Sequence, residues 1–267
     1  MDTIKNWIKI TIAAQDRDWD CVWCIVGGER RGKSSLALHI YEEFCKQKGI
    51  KPKICFFSVD IADFIKSLDL ADKGGMCVLD EAGDSITSAN YYDEFIKKIR
   101  EAYTIIGAKN LFTIIILPDF FLLDTYFRKW RVKTLLNVYR RGKVSLYCGN
   151  DINRLNDECQ QSKNISLVKP TTYDDFPKYE GDLLKEYLAM KNQKVRTKIK
   201  QLQEELNFGD SMSLKKAAKF LNISYPTALR WVIDKKIPAL KTGANRFKVK
   251  IIDLEKVEEE LRVKNAL

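Results

Sequence analysis

The segment from Gly27 to Ser34 constrains the fold of this chain more than any other feature. It has the sequence GGERRGKS and fits the pattern G-x-x-x-x-G-K-[ST]. The apolar and β-branched residues 21–26 before it favour a buried strand, and residues 34–41 after it have a helical pattern. Glycines in such a loop let backbone N–H groups turn inward around phosphate oxygens, at the N-terminus of the next helix. The sequence therefore predicts a strand, a phosphate-binding loop and a helix, in that order.

The side chains of this loop have expected roles toward a bound nucleotide. Lys33 is the predicted catalytic lysine that reaches the β and γ phosphates, and the Ser34 hydroxyl is the predicted ligand of Mg²⁺. ATP and Mg²⁺ are accordingly the predicted ligands. The predicted nucleotide-binding residues are Gly27, Gly28, Glu29, Arg30, Arg31, Gly32, Lys33, Ser34 and Ser35.

A second apolar run, residues 76–79, ends in the acids Asp80 and Glu81. This pattern predicts a strand that delivers Asp80 to Mg²⁺ through water and Glu81 to the attacking water as the catalytic general base. Apolar runs that end in acids are common, so the position of this run after the phosphate-binding loop carries the interpretation. Further strands are predicted at residues 54–59 and 111–117, and a helix is predicted to begin near Asp60.

Residues 117–144, LPDFFLLDTYFRKWRVKTLLNVYRRGKV, contain a hairpin signal, two apolar-alternating runs around Gly142. Together with FPKYEG at residues 176–181, this run resembles the ATPases of the FtsK and HerA type. The closest resemblance is to small phage, plasmid and archaeal-element versions related to zonula-occludens-toxin-like packaging ATPases. Such a resemblance, over roughly residues 20–190, implies an α/β fold: a RecA-like P-loop NTPase core with a mostly parallel sheet. It also implies that strand 111–117 inserts between the two nucleotide-binding strands and presents a polar sensor, for which Asp119 is the candidate.

The same resemblance implies that the chain assembles with copies of itself. In that group the assembly is a ring, for example a hexamer, or a filament on DNA, and an arginine commonly reaches the γ-phosphate of a neighbouring subunit. This arginine stabilises charge that develops in the transition state. Arg128 and Arg131 are the favoured catalytic candidates, with Arg140 and Arg141 as alternatives. Each of the four also fits a surface or phosphate-backbone arginine, so both interpretations stay open.

Positive charge is concentrated near the C-terminus. The chain has 46 Lys and Arg and 36 Asp and Glu, a formal net charge of +10. Residues 211–250 contain ten of the basic residues and one acid, Asp234, so the rest of the chain is almost neutral. A local excess of this kind is typical of a module that binds a polyanion. A solvated basic face is the alternative.

The same segment has a helix-turn-helix pattern. An apolar-periodic helix begins at residue 213, a short turn covers residues 222–224, and a second helix and a two-stranded wing follow. Over about 50 residues it resembles the excisionase and MerR-like winged helix-turn-helix family, which implies double-stranded DNA as the partner. By that resemblance, residues of the second helix face the major groove and wing residues contact the backbone or the minor groove. The predicted DNA-binding residues are Tyr225, Thr227, Arg230, Lys241, Asn245, Arg246 and Lys248. A helix-turn-helix used only for protein contacts is the alternative.

These motifs predict three parts: an ATPase domain at residues 1–190, a linker helix at 191–210 and a winged helix-turn-helix domain at 211–267. The polar residues 149–175 predict a loop-rich exit from the ATPase core. Residues 181–206 predict a helix with Leu183, Leu184, Tyr187 and Leu188 on one apolar face. A content of 45% hydrophobic and 31% charged residues excludes fibrous and wholly disordered classes. The longest apolar run, residues 111–117, is far shorter than a membrane span. Residues 1–5 lack the features of a secretory signal, and the seven cysteines lack a disulfide spacing. A cytoplasmic protein with reduced, buried cysteines is therefore predicted.

Together these features predict a DNA-binding, Mg²⁺-dependent ATPase of a virus or mobile element that hydrolyses ATP to move, package or segregate DNA. The main alternative is a nucleotide-gated DNA-binding regulator of transcription, replication or copy number. A replication-initiator or helicase-loader ATPase is a third hypothesis. All three need the same nucleotide site, so the sequence alone separates them poorly.

Overall fold

The computed structural model describes residues 1–80, 101, 103, 107–123, 125–207, 211–243, 246–251, 253–255 and 257. The chain divides into two compact units, Met1–Lys191 and Asn192–Leu267. Each unit is described by itself.

The first unit alternates helices with strands. Its helices are α1 (Asp2–Gln15), α2 (Lys33–Lys48), α3 (Ile61–Leu70), α4 (Asn150–Glu158) and the start of α5 (Leu183–Asn207), which continues into the second unit. Its strands are β1 (Cys21–Val26), β2 (Phe57–Ser58), β3 (Met76–Leu79), β4 (Phe112–Ile116), β5 (Val132–Arg140), β6 (Lys143–Cys148) and β7 (Thr172–Asp175). An α/β fold is therefore present, as predicted.

These strands form one mixed, mostly parallel sheet in the order β2-β3-β4-β1-β5-β6-β7. The pairs β2–β3, β3–β4, β4–β1 and β1–β5 are parallel, whereas the pairs β5–β6 and β6–β7 are antiparallel. Phe112 on β4 pairs with Cys21 on β1 and with Met76 on β3, which confirms the predicted insertion of this strand between the other two. The β5–β6 hairpin is confirmed as well.

The sheet has an apolar core on each face. Cys21, Trp23 and Ile25 of β1 belong to one core cluster, while Val22 and Cys24 belong to the other. Helices α1, α2 and the first turns of α5 cover the first face, and helices α3 and α4 contribute to the second. A strand that is buried on both faces has a nearly continuous apolar sequence, which is why β1 shows no alternation.

Two predicted segments have a different structure from the one expected. Residues 54–59 form a 3₁₀ turn (Ile54–Phe56) followed by only a two-residue strand, β2. The Tyr41 hydroxyl donates to the carbonyl of Lys53 at 2.8 Å and accepts from its N–H at 3.0 Å, so the backbone groups that precede the turn are already bonded away from the sheet. Cys55 lies in this turn and is exposed, whereas the other six cysteines are buried as predicted.

The second difference concerns the polar region before α5. Residues 149–175 were expected to be rich in loops, but they contain α4 and β7. Helix α4 buries Ile152 and Leu155 on one side, and its buried Asn156 side chain donates to the Arg128 carbonyl at 3.0 Å. The many polar residues of this segment conceal a short amphipathic helix.

After the end of α5, the described residues of the second unit include two short helices and an antiparallel sheet, and residues 251 and 253–255 are also helical. The elements are β8 (Ser211–Ser213), α6 (Leu214–Phe220), α7 (Tyr225–Ile233), β9 (Ala239–Gly243) and β10 (Arg246–Lys250). The strand order is β8-β10-β9. Both helices are capped by serine side chains, Ser213 for α6 and Ser224 for α7. A small core of Leu214, Ala217, Ala218, Leu221, Ala228, Ile237, Val249 and Leu254 holds the unit together.

In the part of the chain that the structure describes, no helix is both long enough and apolar enough to pass through a bilayer.

Candidate functional site

A cavity of about 610 Å³ lies where β1, β3 and β4 end, at the carboxyl edge of the parallel strands. The loop between β1 and α2 forms one wall, the residues that follow β4 form another, and helix α5 contributes one side chain. Ligands of open α/β sheets bind at this edge. The lining residues are Glu29, Arg30, Gly32, Lys33, Ser34, Ser35, Asp80, Ile116, Leu117, Pro118 and Lys191.

The backbone of the loop has the conformation that a phosphate cradle needs. Gly27 has φ +140° and Gly32 has φ +99°, values that side-chain-bearing residues rarely adopt, and Arg30 has φ +57°. Helix α2 begins at Lys33, directly after Gly32, so its unpaired N-terminal N–H groups face the loop. The predicted order of strand, loop and helix is confirmed.

The Lys33 side chain folds back along this loop. Its ammonium group donates to the carbonyl of Gly27 at 2.7 Å and to the carbonyl of Gly28 at 3.0 Å. Burial lowers the pKa of Lys33, although Asp80 and Glu29 oppose the shift. A partly desolvated ammonium group that faces a cavity is suited to an anion, because a negative ligand removes the cost of desolvation.

Asp80 and Ser34 both line the cavity. The Asp80 side chain is almost completely buried and accepts a hydrogen bond of 2.6 Å from the Tyr187 hydroxyl of helix α5. The Ser34 hydroxyl also interacts with the Tyr187 hydroxyl. A carboxylate and a hydroxyl in one cavity are oxygen ligands of the type that Mg²⁺ prefers, so these two residues fit the predicted metal site.

The nine predicted nucleotide-binding residues separate into two groups. Glu29, Arg30, Gly32, Lys33, Ser34 and Ser35 line the cavity. Gly27, Gly28 and Arg31 shape the loop instead: the Arg31 guanidinium donates to the Tyr139 carbonyl at 2.9 Å and covers Gly28. Arg31 therefore ties the loop to the end of β5.

The predicted catalytic residues outside the loop have different outcomes. Glu81, the predicted general base, lies outside the described residues. Arg128 is buried and donates to the Leu123 carbonyl at 2.9 Å and to the Thr125 hydroxyl at 3.1 Å. Arg131 forms an ion pair with Asp20.

Both favoured guanidinium groups are thus engaged within their own chain. Arg140 and Arg141 are exposed at the β5–β6 turn. An arginine that acts on a neighbouring subunit stays a prediction, and the exposed pair is the better placed for it. Asp119, the predicted sensor, caps a 3₁₀ turn by accepting from the Phe121 N–H at 2.7 Å and does not line the cavity.

Two residues of the cavity region were missed by sequence reasoning. Tyr187 belongs to what the sequence shows only as an apolar face of a helix, and Lys191 falls in the predicted linker. Leu188, expected on that same apolar face, is 46% exposed, because the buried side of α5 is formed by Leu183 and Tyr187. Tyr187 and Lys191 are four residues apart and therefore lie on one side of α5. No sequence signal shows which other element that side contacts.

Comparison with models of protein families, with curated proteins and with solved structures found no match to this chain. The interpretation of its site therefore depends on the geometry of its own residues.

The predicted DNA-binding residues of the second unit lie on α7 and on the β9–β10 hairpin. Tyr225 and Arg230 on α7 are exposed, whereas Thr227 is half-buried. The Thr227 hydroxyl is 2.8 Å from the Ser224 hydroxyl, so it takes part in capping the helix. Tyr225 is in the first turn of α7 and Arg230 in the middle, on different sides of the helix.

Strand register separates the predicted wing residues. Lys241 pairs with Phe247, and Lys248 pairs with Leu240, so the two lysines point to opposite faces of the hairpin. Both are exposed. Asn245 lies outside the described residues, and Arg246 begins β10, although its side chain is not among those described.

Proposed function

We propose that this chain is a Mg²⁺-dependent ATPase that binds double-stranded DNA through its C-terminal unit. The observation that carries the proposal is the meeting of Lys33, Ser34 and Asp80 in one cavity beside a loop with the backbone of a phosphate cradle. These residues come from β1–α2 and from the end of β3, and inserted strand β4 lies between those strands. This strand order supports a RecA-like P-loop NTPase core.

In the proposed reaction, the loop and the α2 N-terminus bind the phosphates of ATP. Lys33 exchanges its two carbonyl contacts for phosphate oxygens, a strong charge-assisted interaction. Ser34 and Asp80 would hold Mg²⁺, which supplies charge neutralisation for the phosphates when it is bound. Arg30 lines the same cavity and adds positive charge to it. Glu81 as the general base remains a prediction from its position next to Asp80.

The arrangement of the second unit supports a winged helix-turn-helix interpretation. Helices α6 and α7 are joined by residues 221–224, and the β9–β10 hairpin follows at the position expected for a wing. Basic side chains cover this unit. Within residues 211–250, the basic side chains described as exposed are Lys215, Lys216, Lys219, Arg230, Lys235, Lys236, Lys241 and Lys248. Phosphate contacts by such residues release counterions from DNA and make binding dependent on salt.

The first experiment measures steady-state ATP hydrolysis with and without duplex DNA at fixed salt, with Lys33→Ala as the blank. We expect Mg²⁺-dependent hydrolysis that the blank lacks and that duplex DNA stimulates. Stimulation supports a role in moving, packaging or segregating DNA of a virus or mobile element. Absence of nucleotide binding and of hydrolysis by the wild-type protein would refute the ATPase proposal.

A second experiment measures DNA affinity of the full-length chain as a function of salt. Lys248→Ala is expected to reduce the slope of log Kobs against log salt by about 1, as the loss of one phosphate contact does. Lys51→Ala, the same charge change at an exposed lysine of the first unit, is the control and should leave the slope unchanged. Equal effects of the two variants would argue against the β9–β10 hairpin as a DNA contact.

One observation favours the alternative, a nucleotide-gated DNA-binding regulator. Helix α5 contributes Lys191 to the cavity and continues without a break to Asn207 in the second unit. A change in the nucleotide site could therefore be passed along one helix. This alternative predicts slow hydrolysis that DNA does not stimulate, together with specific DNA binding that changes when ATP is added.

A further inference from the structure

Helix α5 contributes a short chain of polar contacts to the cavity that the proposed ATPase mechanism does not use. Lys191 donates to the Tyr187 hydroxyl at 3.2 Å, and that hydroxyl in turn donates to Asp80 at 2.6 Å. The two donors are one helical turn apart, so they extend from the same side of α5. Lys191 lines the cavity directly.

The Tyr187 ring is fixed by packing. It packs edge to face against the Phe57 ring, with 5.2 Å between the two ring centroids. The Lys191 ammonium lies 5.6 Å from the centroid of the Tyr187 ring. The Tyr187 hydroxyl makes both contacts at once, as the donor to Asp80 and as the acceptor from Lys191. A fixed, protonated hydroxyl can hold both Asp80 and Lys191 in place.

The side chains that line the cavity carry more positive than negative charge, which favours binding of an anion with several negative charges. Three cationic side chains, Arg30, Lys33 and Lys191, line it against two acidic ones, Glu29 and Asp80. The Lys33 and Lys191 ammonium groups both line this cavity, so their like charges repel each other there. A bound polyphosphate would remove this repulsion by placing negative charge between them.

We propose that Lys191 is a phosphate ligand that contacts the terminal phosphate of ATP in its own subunit, and that Tyr187 is the residue that positions it. This inference rests on the proposed ATPase function. Lys191 is linked through the Tyr187 hydroxyl to Asp80, which lines the same cavity as Ser34 and with it would hold Mg²⁺ at the terminal phosphates. Lys191 would therefore discriminate a nucleoside triphosphate from a diphosphate.

The test compares the affinities of full-length variants for ADP and for AMP-PNP, a triphosphate analogue that is not hydrolysed, at saturating Mg²⁺. Lys191→Met is expected to weaken AMP-PNP binding about tenfold or more, the effect of losing one charge-assisted hydrogen bond. ADP binding should change by less than about threefold, because the lost contact is to the terminal phosphate. Lys191→Arg, which keeps the charge, should retain most of the preference for the triphosphate.

Two further variants separate positioning from general structural damage. Tyr187→Phe keeps the packed ring and removes the hydroxyl. It should reduce the preference for AMP-PNP in the same direction and raise the Mg²⁺ concentration needed for half-maximal binding. Lys185→Met is the control, because Lys185 is exposed on the same helix and lines no part of the cavity. Its affinities and Mg²⁺ dependence should match the wild type.

The outcomes distinguish this inference from the proposed function. If the wild type binds AMP-PNP and Lys33→Ala does not, the nucleotide site stands. Unchanged affinities in Lys191→Met, or equal losses for ADP and AMP-PNP, would then overturn the role of Lys191 alone. A wild type that binds neither nucleotide would overturn both.

Discussion

Replacing Gly27 with alanine should lower the free energy of unfolding of the first unit by more than the cost of its unusual backbone conformation, because a side chain there also collides with β5. Gly27 adopts φ +140°, and a Cβ built there would lie 2.4 Å from the Val138 carbonyl oxygen and 3.2 Å from its carbonyl carbon. The obstacle is the backbone of β5, which lies inside the sheet and cannot rotate away. At Gly27, therefore, the loop that follows β1 comes so close to strand β5 that only glycine fits without strain.

The expected magnitude has two parts. Holding a non-glycine residue in a sparsely populated φ region costs about 1–3 kcal/mol, and forcing extra volume into a packed site typically costs about 1–3 kcal/mol more. We expect the free energy of unfolding to fall by about 2–6 kcal/mol in Gly27→Ala, the sum of the two parts. Gly49→Ala is the matched control, because Gly49 has φ +67° but nothing within 4 Å of its built Cβ. Its loss should be about 1–2 kcal/mol, from conformation alone.

Urea unfolding followed by tryptophan fluorescence is a suitable assay, because four of the five tryptophans (Trp7, Trp19, Trp23 and Trp130) belong to the first unit. The two variants should share the wild-type m value and differ in midpoint. A Gly27→Ala variant no less stable than Gly49→Ala would refute the argument that the β5 backbone excludes a side chain at this position.

Three other predictions concern buried and charged side chains. Native protein should show one fast-reacting thiol out of seven, at exposed Cys55, because burial raises the pKa of thiols such as Cys21 to about 11. Titration with a thiol reagent counts the reactive cysteines, and a second fast-reacting thiol would contradict the burial of the other six. ATP binding should take up more protons at pH 9 than at pH 7.5, because burial lowers the pKa of Lys33 and a bound phosphate raises it again. Calorimetry in buffers of different ionisation enthalpy measures this uptake, and proton release at the higher pH would argue against the contact. Arg128→Met should lower the free energy of unfolding by about 2–3 kcal/mol, because it leaves buried hydrogen-bond acceptors unpaired. In the same urea assay, Arg140→Met at an exposed site should change the free energy of unfolding by less than about 0.5 kcal/mol. Equal losses in the two variants would contradict this prediction.

Local patterns in the sequence were sufficient for the parts of the fold that depend on neighbouring residues. The loop from Gly27 to Ser34 could be located because glycine spacing, a preceding apolar strand and a following helix all lie within about twenty residues. The position of Asp80 after β3, and the β5–β6 hairpin, followed from short apolar runs and a turn glycine in the same way. Such signals are local because they report backbone conformation and the burial of one face.

Sequence patterns failed where composition concealed the burial of a few residues. Helix α4 was missed because only Ile152 and Leu155 among its many polar residues enter the core. Strand β2 was overestimated because the apolar content of residues 54–59 does not show that hydrogen bonds from Tyr41 hold the chain just before a 3₁₀ turn.

The sequence by itself determined that strand β1 leads into a glycine-rich loop, that an acid follows β3, and that basic charge is concentrated after residue 210. Tertiary structure alone decided which side chains join them. Tyr187 reaches Asp80 across 107 residues of sequence, and Arg128 turns inward to Leu123 and Asn156 instead of outward to a neighbour. Helical periodicity predicts which residues lie on the same side of α5. It does not predict which residues that side contacts, because those contacts depend on how the helix packs on the sheet.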